Sequence, residues 1–202
     1  PQDRIAAKPA ELDWAVAGGI GLVANTAKRI VDSQSLGPED TVLVTAAAGG
    51  VGIVAVQLAK ATGATVVGTA SVSHHEFLRS LGVIPVAYGD GELERLRAAA
   101  PGGYTAALDH IGGGAIRTAM ELGIPAARIN TIADNDAVEK LGVRGVGGGK
   151  KTSAELAEFA RQAAAGELLI PIRSTYHLPD VVAAFQDLET GHGLGKVVLL
   201  IP

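Results

Sequence analysis

Eight residues, Thr45-Ala46-Ala47-Ala48-Gly49-Gly50-Val51-Gly52, constrain the fold of this chain more than any other segment. They close a β-rich run at residues 41–46 and open a helical stripe at 51–62, which stops at Gly63 before a second β-rich run at 64–69. Parallel strands need a crossover of a dozen or more residues, and a helix between two short apolar strands supplies it. The segment therefore predicts a βαβ unit.

The alternation continues to residue 146. A helix at 75–81 is closed by Gly82, a strand follows at 84–88, and a helix at 92–100 is closed by Pro101-Gly102-Gly103. Then come a strand at 105–109, a helix at 115–122, a strand at 128–133 and a short sixth strand at 143–146. These strands are apolar throughout rather than alternating, as expected when helices cover both sheet faces. The fold class is α/β, a doubly wound, Rossmann-like parallel sheet with helices on both faces. Three regions are expected: an N-terminal helix and linker at 1–40, the Rossmann domain at 41–150, and a C-terminal helix and strand segment at 151–202. The first holds a helical pattern at 12–31, weakened by Gly18, Gly19 and Gly21, and a turn at Gly37-Pro38-Glu39-Asp40. The last holds a loop at 147–151, a helix at 153–165, an extended stretch at 168–175, a helix at 179–190 and a strand at 196–201.

Composition narrows the function. Apolar residues make up 48% of the chain, enough for a packed core, and 27 of 202 residues are glycine, nearly twice the usual share of about 7%. The 17 basic residues are scattered and outnumbered by 21 acidic ones, so there is no footprint for nucleic acid. Without cysteine the chain has no disulfides, no thiolate nucleophile and no sulfur ligand for zinc. No run approaches the roughly 18 apolar residues of a membrane span, and no signal-like segment opens the chain. A soluble cytoplasmic protein without a membrane partner is expected.

Set against the dinucleotide fingerprint, Ala47, Gly49 and Gly52 occupy the three small positions. The first permits a tight exit from the strand, the second lets a diphosphate approach the backbone, and the third lets the helix pack closely on the sheet. Backbone N–H groups near Gly50 and Val51 then face the anion, where the helix dipole favours negative charge. A purely structural turn is the alternative reading. The end of the second strand bears on the ligand. An NAD site wants Asp or Glu about 20 residues after the glycines, to bind the ribose 2′-hydroxyl. Here the chain reads Thr69-Ala70-Ser71-Val72-Ser73-His74-His75, and the first acid is Glu76. Ser71 and Ser73 can donate to a 2′-phosphate, and His74, His75 or Arg79 can supply positive charge. NADP(H) is preferred over NAD(H). The plain alternative for residues 71–75 is a solvated loop leading into the next helix.

Together with Val56-Gln57-Leu58-Ala59-Lys60 and Gly68-Thr69-Ala70-Ser71, the turn resembles the medium-chain dehydrogenase/reductase superfamily, and within it the zinc-independent quinone oxidoreductase and enoyl reductase branch. Leu108-Asp109-His110-Ile111-Gly112-Gly113 is similar to that family's fourth-strand motif, and residues 191–199, Gly-His-Gly-Leu-Gly-Lys-Val-Val-Leu, to its C-terminal signature. The resemblance implies NADPH-dependent hydride transfer to a quinone, enone or related conjugated carbonyl. It implies cofactor contacts from Thr26, Ala48, Gly50, Val51 and Ser71, to which the reading of the residues adds Gly49 and His75, with the Ile132-Ala133 strand end on the nicotinamide side, and no metal. The family begins with a barrel-like substrate domain, and this chain starts after nearly all of it, so no proton donor is named. A dinucleotide-binding module without catalysis is the alternative function. The apolar strand at 196–201 needs cover: either the segment folds differently from the family's or it joins another chain, which points to a homo-oligomer.

Other chemistries fit poorly. Tyr88, Tyr104 and Tyr176 are followed four residues later by Glu92, Leu108 and Asp180, not by the lysine of short-chain dehydrogenases. There is no Gly-x-Ser-x-Gly elbow, and the glycine turn lacks the Lys-Ser/Thr ending of a P-loop. His110 faces the cofactor or is satisfied by backbone. Trp14 and Phe185 are read as packing residues rather than stacking platforms.

Overall fold

The computed structural model describes residues 4–147, 152–191 and 193–201. Apart from Gly147, the loop expected at 147–151 lies outside the described residues, as does His192 of the C-terminal signature. Six strands form one parallel sheet: β1 Thr41–Val44, β2 Thr65–Ala70, β3 Ile84–Ala87, β4 Ala106–Asp109, β5 Ile129–Thr131 and β6 Arg144–Gly145. Their order is β3-β2-β1-β4-β5-β6, so the winding reverses between β1 and β4. The helices among them are α2 Gly50–Ala61, α3 His75–Ser80, α4 Glu92–Ala99, α5 Gly114–Glu121 and α6 Asn135–Leu141. Strand pleating sends alternate residues to opposite faces. Val42, Val44, Val66 and Leu108 join one apolar cluster, and Leu43, Val67, Ala107 and Ile129 join the other with Tyr104 and Ile116. Both faces are therefore dry, which is why these strands show no polar alternation.

Helix α6 falls in a stretch, residues 134–142, to which the sequence reading assigned no element. Its start is set by Asp134, whose side chain accepts from Ala137 N, and its end by Gly142 at φ 69°. Both signals were present, but seven residues ahead of a glycine run give too short an apolar stripe to read.

Before the sheet, α1 Trp14–Asp32 is capped by Asp13, which accepts from Ala15 N at 2.8 Å. After it, α7 Ser153–Ala164 starts in a capping box made by Thr152 and Glu155. β7 Ile172–His177 and β8 Lys196–Leu200 then form a separate two-stranded parallel sheet, joined by α8 Val181–Glu189. The glycines that weakened the first helix on paper let this sheet approach it. A Cβ on Gly18 would lie 3.7 Å from Val198, and one on Gly19 would lie 3.6 Å from Ile172 and Lys196. Phe159, Ala160, Leu168 and Ile170 belong to the same cluster as α1 and α2, so the C-terminal segment shares the core of the sheet domain. β8 finds its partner in β7 within the chain and stays half-buried.

Trp14 and Phe185 correct the reading as packing residues: they are 72% and 59% exposed. Trp14 opens α1 with the Lys8 ammonium 5.0 Å above its ring, and Phe185 lies with Val182 and Leu188 on the outer side of α8. Among the described residues, no helix is long and apolar enough to cross a membrane.

Candidate functional site

The glycine turn leaves β1 through one strained residue. Ala46 has φ 47°, in the left-handed region that glycine usually fills. Its carbonyl accepts from Gly49 N at 2.9 Å, and a Cβ on Gly52 would overlap that same oxygen. The tight exit thus belongs to Ala46, one residue before the position assigned from the fingerprint. Ala47 is small for another reason: its Cβ would be 2.6 Å from a Cβ on Gly68 in β2. Gly49 is the extended N-cap of α2, and no side chain caps that helix. Its first-turn N–H groups, those of Gly50, Val51 and Gly52, lack intrahelical carbonyl partners and carry the positive end of the helix dipole.

A cation stands beside them. Gly195 N donates to Ala48 O at 3.1 Å, and Gly49 and Gly195 form a parallel bridge that ties the start of β8 to the turn. The next side chain, Lys196, lies over Gly50: a Cβ there would come within 2.7 Å of Lys196 Cδ and 3.7 Å of its Nζ. Gly195 has φ 80°, and any side chain on it would overlap the Pro171 carbonyl. Arg173 packs against Gly193 while its guanidinium donates to Asp187. Within the signature, Gly193 and Gly195 therefore let the chain lay Lys196 across the glycine turn. Sequence reasoning noted the motif and missed the lysine, because the contact joins residues far apart in the chain.

At the carboxyl ends of β2 and β3, Ser71 Oγ and Tyr88 Oη are 2.9 Å apart. Tyr88 was passed over because its value depends on β3 lying next to β2. His75 sits differently from its expected role: it is buried, and its Nε2 donates to Ala70 O at 3.2 Å, which braces the end of β2. Glu76, the first acid, is exposed on α3. Thr26 donates its hydroxyl to Leu22 O at 2.9 Å within α1, and the α1 side chain that approaches Gly50 is Val23. Ile132 follows β5 at its carboxyl end, with its N–H donating to Asp109 O at 3.2 Å. The structure thus brings Ala48, Gly49, Gly50 and Val51 together with Lys196, places Ser71 beside Tyr88, and leaves the Thr26 and His75 side chains on local backbone.

Between β1 and β4, at the reversal, lies a buried carboxylate. Asp109 accepts from Thr45 Oγ1 at 2.9 Å, Thr131 Oγ1 at 2.7 Å and Gly112 N at 2.8 Å. His110 donates its N–H to Thr45 Oγ1 at 2.8 Å, and its Nδ1 is 2.7 Å from Thr45 O. Its Nε2 is shielded and has no hydrogen-bond partner among the described residues. Burial holds the imidazole below its usual pKa, against the opposing effects of the Thr45 hydrogen bond and the Asp109 charge. Among the described residues, no three His, Asp or Glu side chains group to hold a metal ion.

A parallel sheet of this order, with a glycine turn at an uncapped helix start beside its reversal point, defines a dinucleotide-binding α/β domain. The sequence matches the model of the zinc-binding dehydrogenase family over residues 81–199, and the chain belongs to that family, within the medium-chain dehydrogenases and reductases. It is 35% identical over 190 residues to the spectinabilin polyketide synthase system protein NorB of Streptomyces orinoci, covering 86% of this chain and 9% of that protein. It is 30% identical over 200 residues to the chloroplastic NADPH-dependent alkenal/one oxidoreductase of Arabidopsis thaliana, covering 96% of this chain and 49% of the enzyme. The quinone oxidoreductase structure from Coxiella burnetii superposes with a TM-score of 0.82 at 29% identity, over 95% of this chain and 62% of that one. The chain therefore spans less than two thirds of each of these relatives.

Proposed function

We propose that this chain is the NADP(H)-binding part of an oxidoreductase that reduces a quinone, enone or similar conjugated carbonyl without zinc. One observation carries the reading: the uncapped start of α2 and the Lys196 ammonium converge on the glycine turn, while two hydroxyls, Ser71 and Tyr88, stand where an NAD site would place a carboxylate. The residues fit the ligand. Amides of Gly50 and Val51 with Lys196 hold a diphosphate, and Ser71 and Tyr88 donate to a 2′-phosphate that an acid would repel. When bound, NADPH supplies a hydride from the nicotinamide C4. The chain's own part is to hold the dinucleotide along the carboxyl edge of the sheet, with Ile132 on the nicotinamide side, and to keep water from its face. Two similarities support the substrate class: the alkenal/one oxidoreductase and the quinone oxidoreductase are named for such carbonyls. The zinc-free reading is supported by a chain that offers no sulfur ligand.

Fluorescence titration with NADPH and NADH, followed by NADPH consumption across a panel of quinones and enones, tests the proposal. Tighter binding of NADPH and turnover of at least one acceptor are expected; absence of dinucleotide binding refutes it. The share of the relatives that the chain spans favours a second reading, a binding module without turnover of its own, and binding without consumption selects it. The exposed Val182, Phe185 and Leu188 on α8 support homo-oligomerisation, which sedimentation velocity tests against a monomer.

A further inference from the structure

We infer that His110 accepts a hydrogen bond through Nε2 from the nicotinamide half of the bound dinucleotide, while its Nδ1–H holds the carbonyl from which the glycine turn departs. The inference rests on the dinucleotide reading above and adds a residue and a specific atom to it.

Three observations carry it. The first is tautomer. Nδ1 lies 2.7 Å from Thr45 O, and a carbonyl only accepts, so Nδ1 carries the proton and Nε2 of the neutral ring is a bare acceptor. The second is the missing donor. Nε2 is shielded from water and has no partner among the described residues, whereas most buried polar atoms are paired. The residue is only partly exposed and stands at the carboxyl edge of the sheet, where folds of this kind bind their ligands. The third is position. His110 bridges the carboxyl ends of β1 and β4, the strands between which the winding reverses. In the order β3-β2-β1-β4, the 2′-phosphate end lies over β2 and β3 at Ser71 and Tyr88, and the diphosphate lies at the start of α2 after β1. The other half of the ligand then falls beyond β1, over β4. Its ribose hydroxyls and carboxamide N–H₂ are the available donors.

The test uses two ligands and two substitutions. NADPH carries both halves, whereas 2′,5′-ADP has the phosphate end alone. His110→Asn keeps a donor near the Nδ1 position and removes Nε2, and His110→Phe removes both. Calorimetric titration is expected to show NADPH affinity falling about tenfold in His110→Asn while that for 2′,5′-ADP stays within about twofold; His110→Phe weakens both by disturbing the turn. Long-range ¹H–¹⁵N correlation spectra of the unsubstituted protein are expected to show an unprotonated Nε2 whose resonance moves on adding NADPH and not on adding 2′,5′-ADP. That readout needs no variant to fold. Equal losses for both ligands in His110→Asn, a protonated Nε2, or a resonance indifferent to NADPH would overturn the inference while leaving the cofactor reading intact. Failure of the unsubstituted protein to bind either ligand would overturn both.

Discussion

The carbonyl of Ala46 occupies the space where a side chain on Gly52 would begin. One residue leaves β1 with φ 47° and the other starts the second residue pair of α2, so strand exit and helix entry are fitted to each other at a single oxygen. Gly52→Ala forces backbone apart and is expected to destabilise the fold by about 2–3 kcal/mol and to abolish NADPH binding. Ala46→Gly relieves the left-handed strain, less glycine's entropy in the unfolded chain, and is expected to stabilise by about 0.5–1 kcal/mol. Thermal denaturation of the two variants decides: a raised melting temperature for Gly52→Ala, or a lowered one for Ala46→Gly, contradicts this account.

Lys196→Gln removes the ammonium over Gly50 and keeps the length of the stem. Charge-assisted hydrogen bonds are worth roughly 1.5–3 kcal/mol, so NADPH affinity is expected to fall about tenfold or more. The remaining binding should depend less on salt. Titrations at low and high ionic strength check both, and unchanged affinity at low salt rules out a role for the lysine.

Ser71→Asp places a carboxylate beside Tyr88, where we assign the 2′-phosphate. Repulsion of the phosphate and acceptance from a free 2′-hydroxyl both act toward NADH. The expected outcome is a reversal of the NADPH to NADH affinity ratio with the fold intact. Should the variant keep its NADPH preference, the adenosine end lies elsewhere.

Asp40 gives the fold an acid-sensitive tie. Its carboxylate accepts from Thr105 Oγ1 and Arg128 Nη2, both at 2.6 Å, and from Gly37 N at 2.9 Å. Partial desolvation works against the charge, but the Thr105 and Gly37 hydrogen bonds and the Arg128 guanidinium outweigh it and hold the carboxyl below its ordinary range. A folded pKa below the unfolded value of about 3.9 means the contribution is complete above that pH and lost as pH falls through the folded value. Asp40→Asn is expected to cost about 1–2 kcal/mol at neutral pH, with the gap to the unsubstituted protein closing at an acid pH below the ordinary carboxylate range. Urea denaturation at both pH values checks the sign; a gap that persists in acid contradicts it.

The strands and long helices of residues 41–131 were legible because each carries its own punctuation. Gly63 and Gly82, both at positive φ, end α2 and the turn after α3 where the periodicity stops. The phosphate turn was legible for the same reason, since its residues are consecutive. Helix α6 was not, because seven residues carry too few periodic positions. Trp14 and Phe185 were misjudged because an aromatic residue on an amphipathic helix reads as core until the neighbouring elements are placed.

By itself the sequence determined what local chemistry can determine: the βαβ alternation, the uncapped glycine entry to α2, and the absence of an acid after β2, each an affair of neighbouring residues. Tertiary structure alone decided that β8 crosses the turn and lays Lys196 on Gly50, that β3 brings Tyr88 to Ser71, and that β4 sets the His110 ring against Thr45. Those contacts join residues 17 to about 150 positions apart. Hydrogen-bond reach is a few ångströms, so only packing and strand order can select which distant side chains meet.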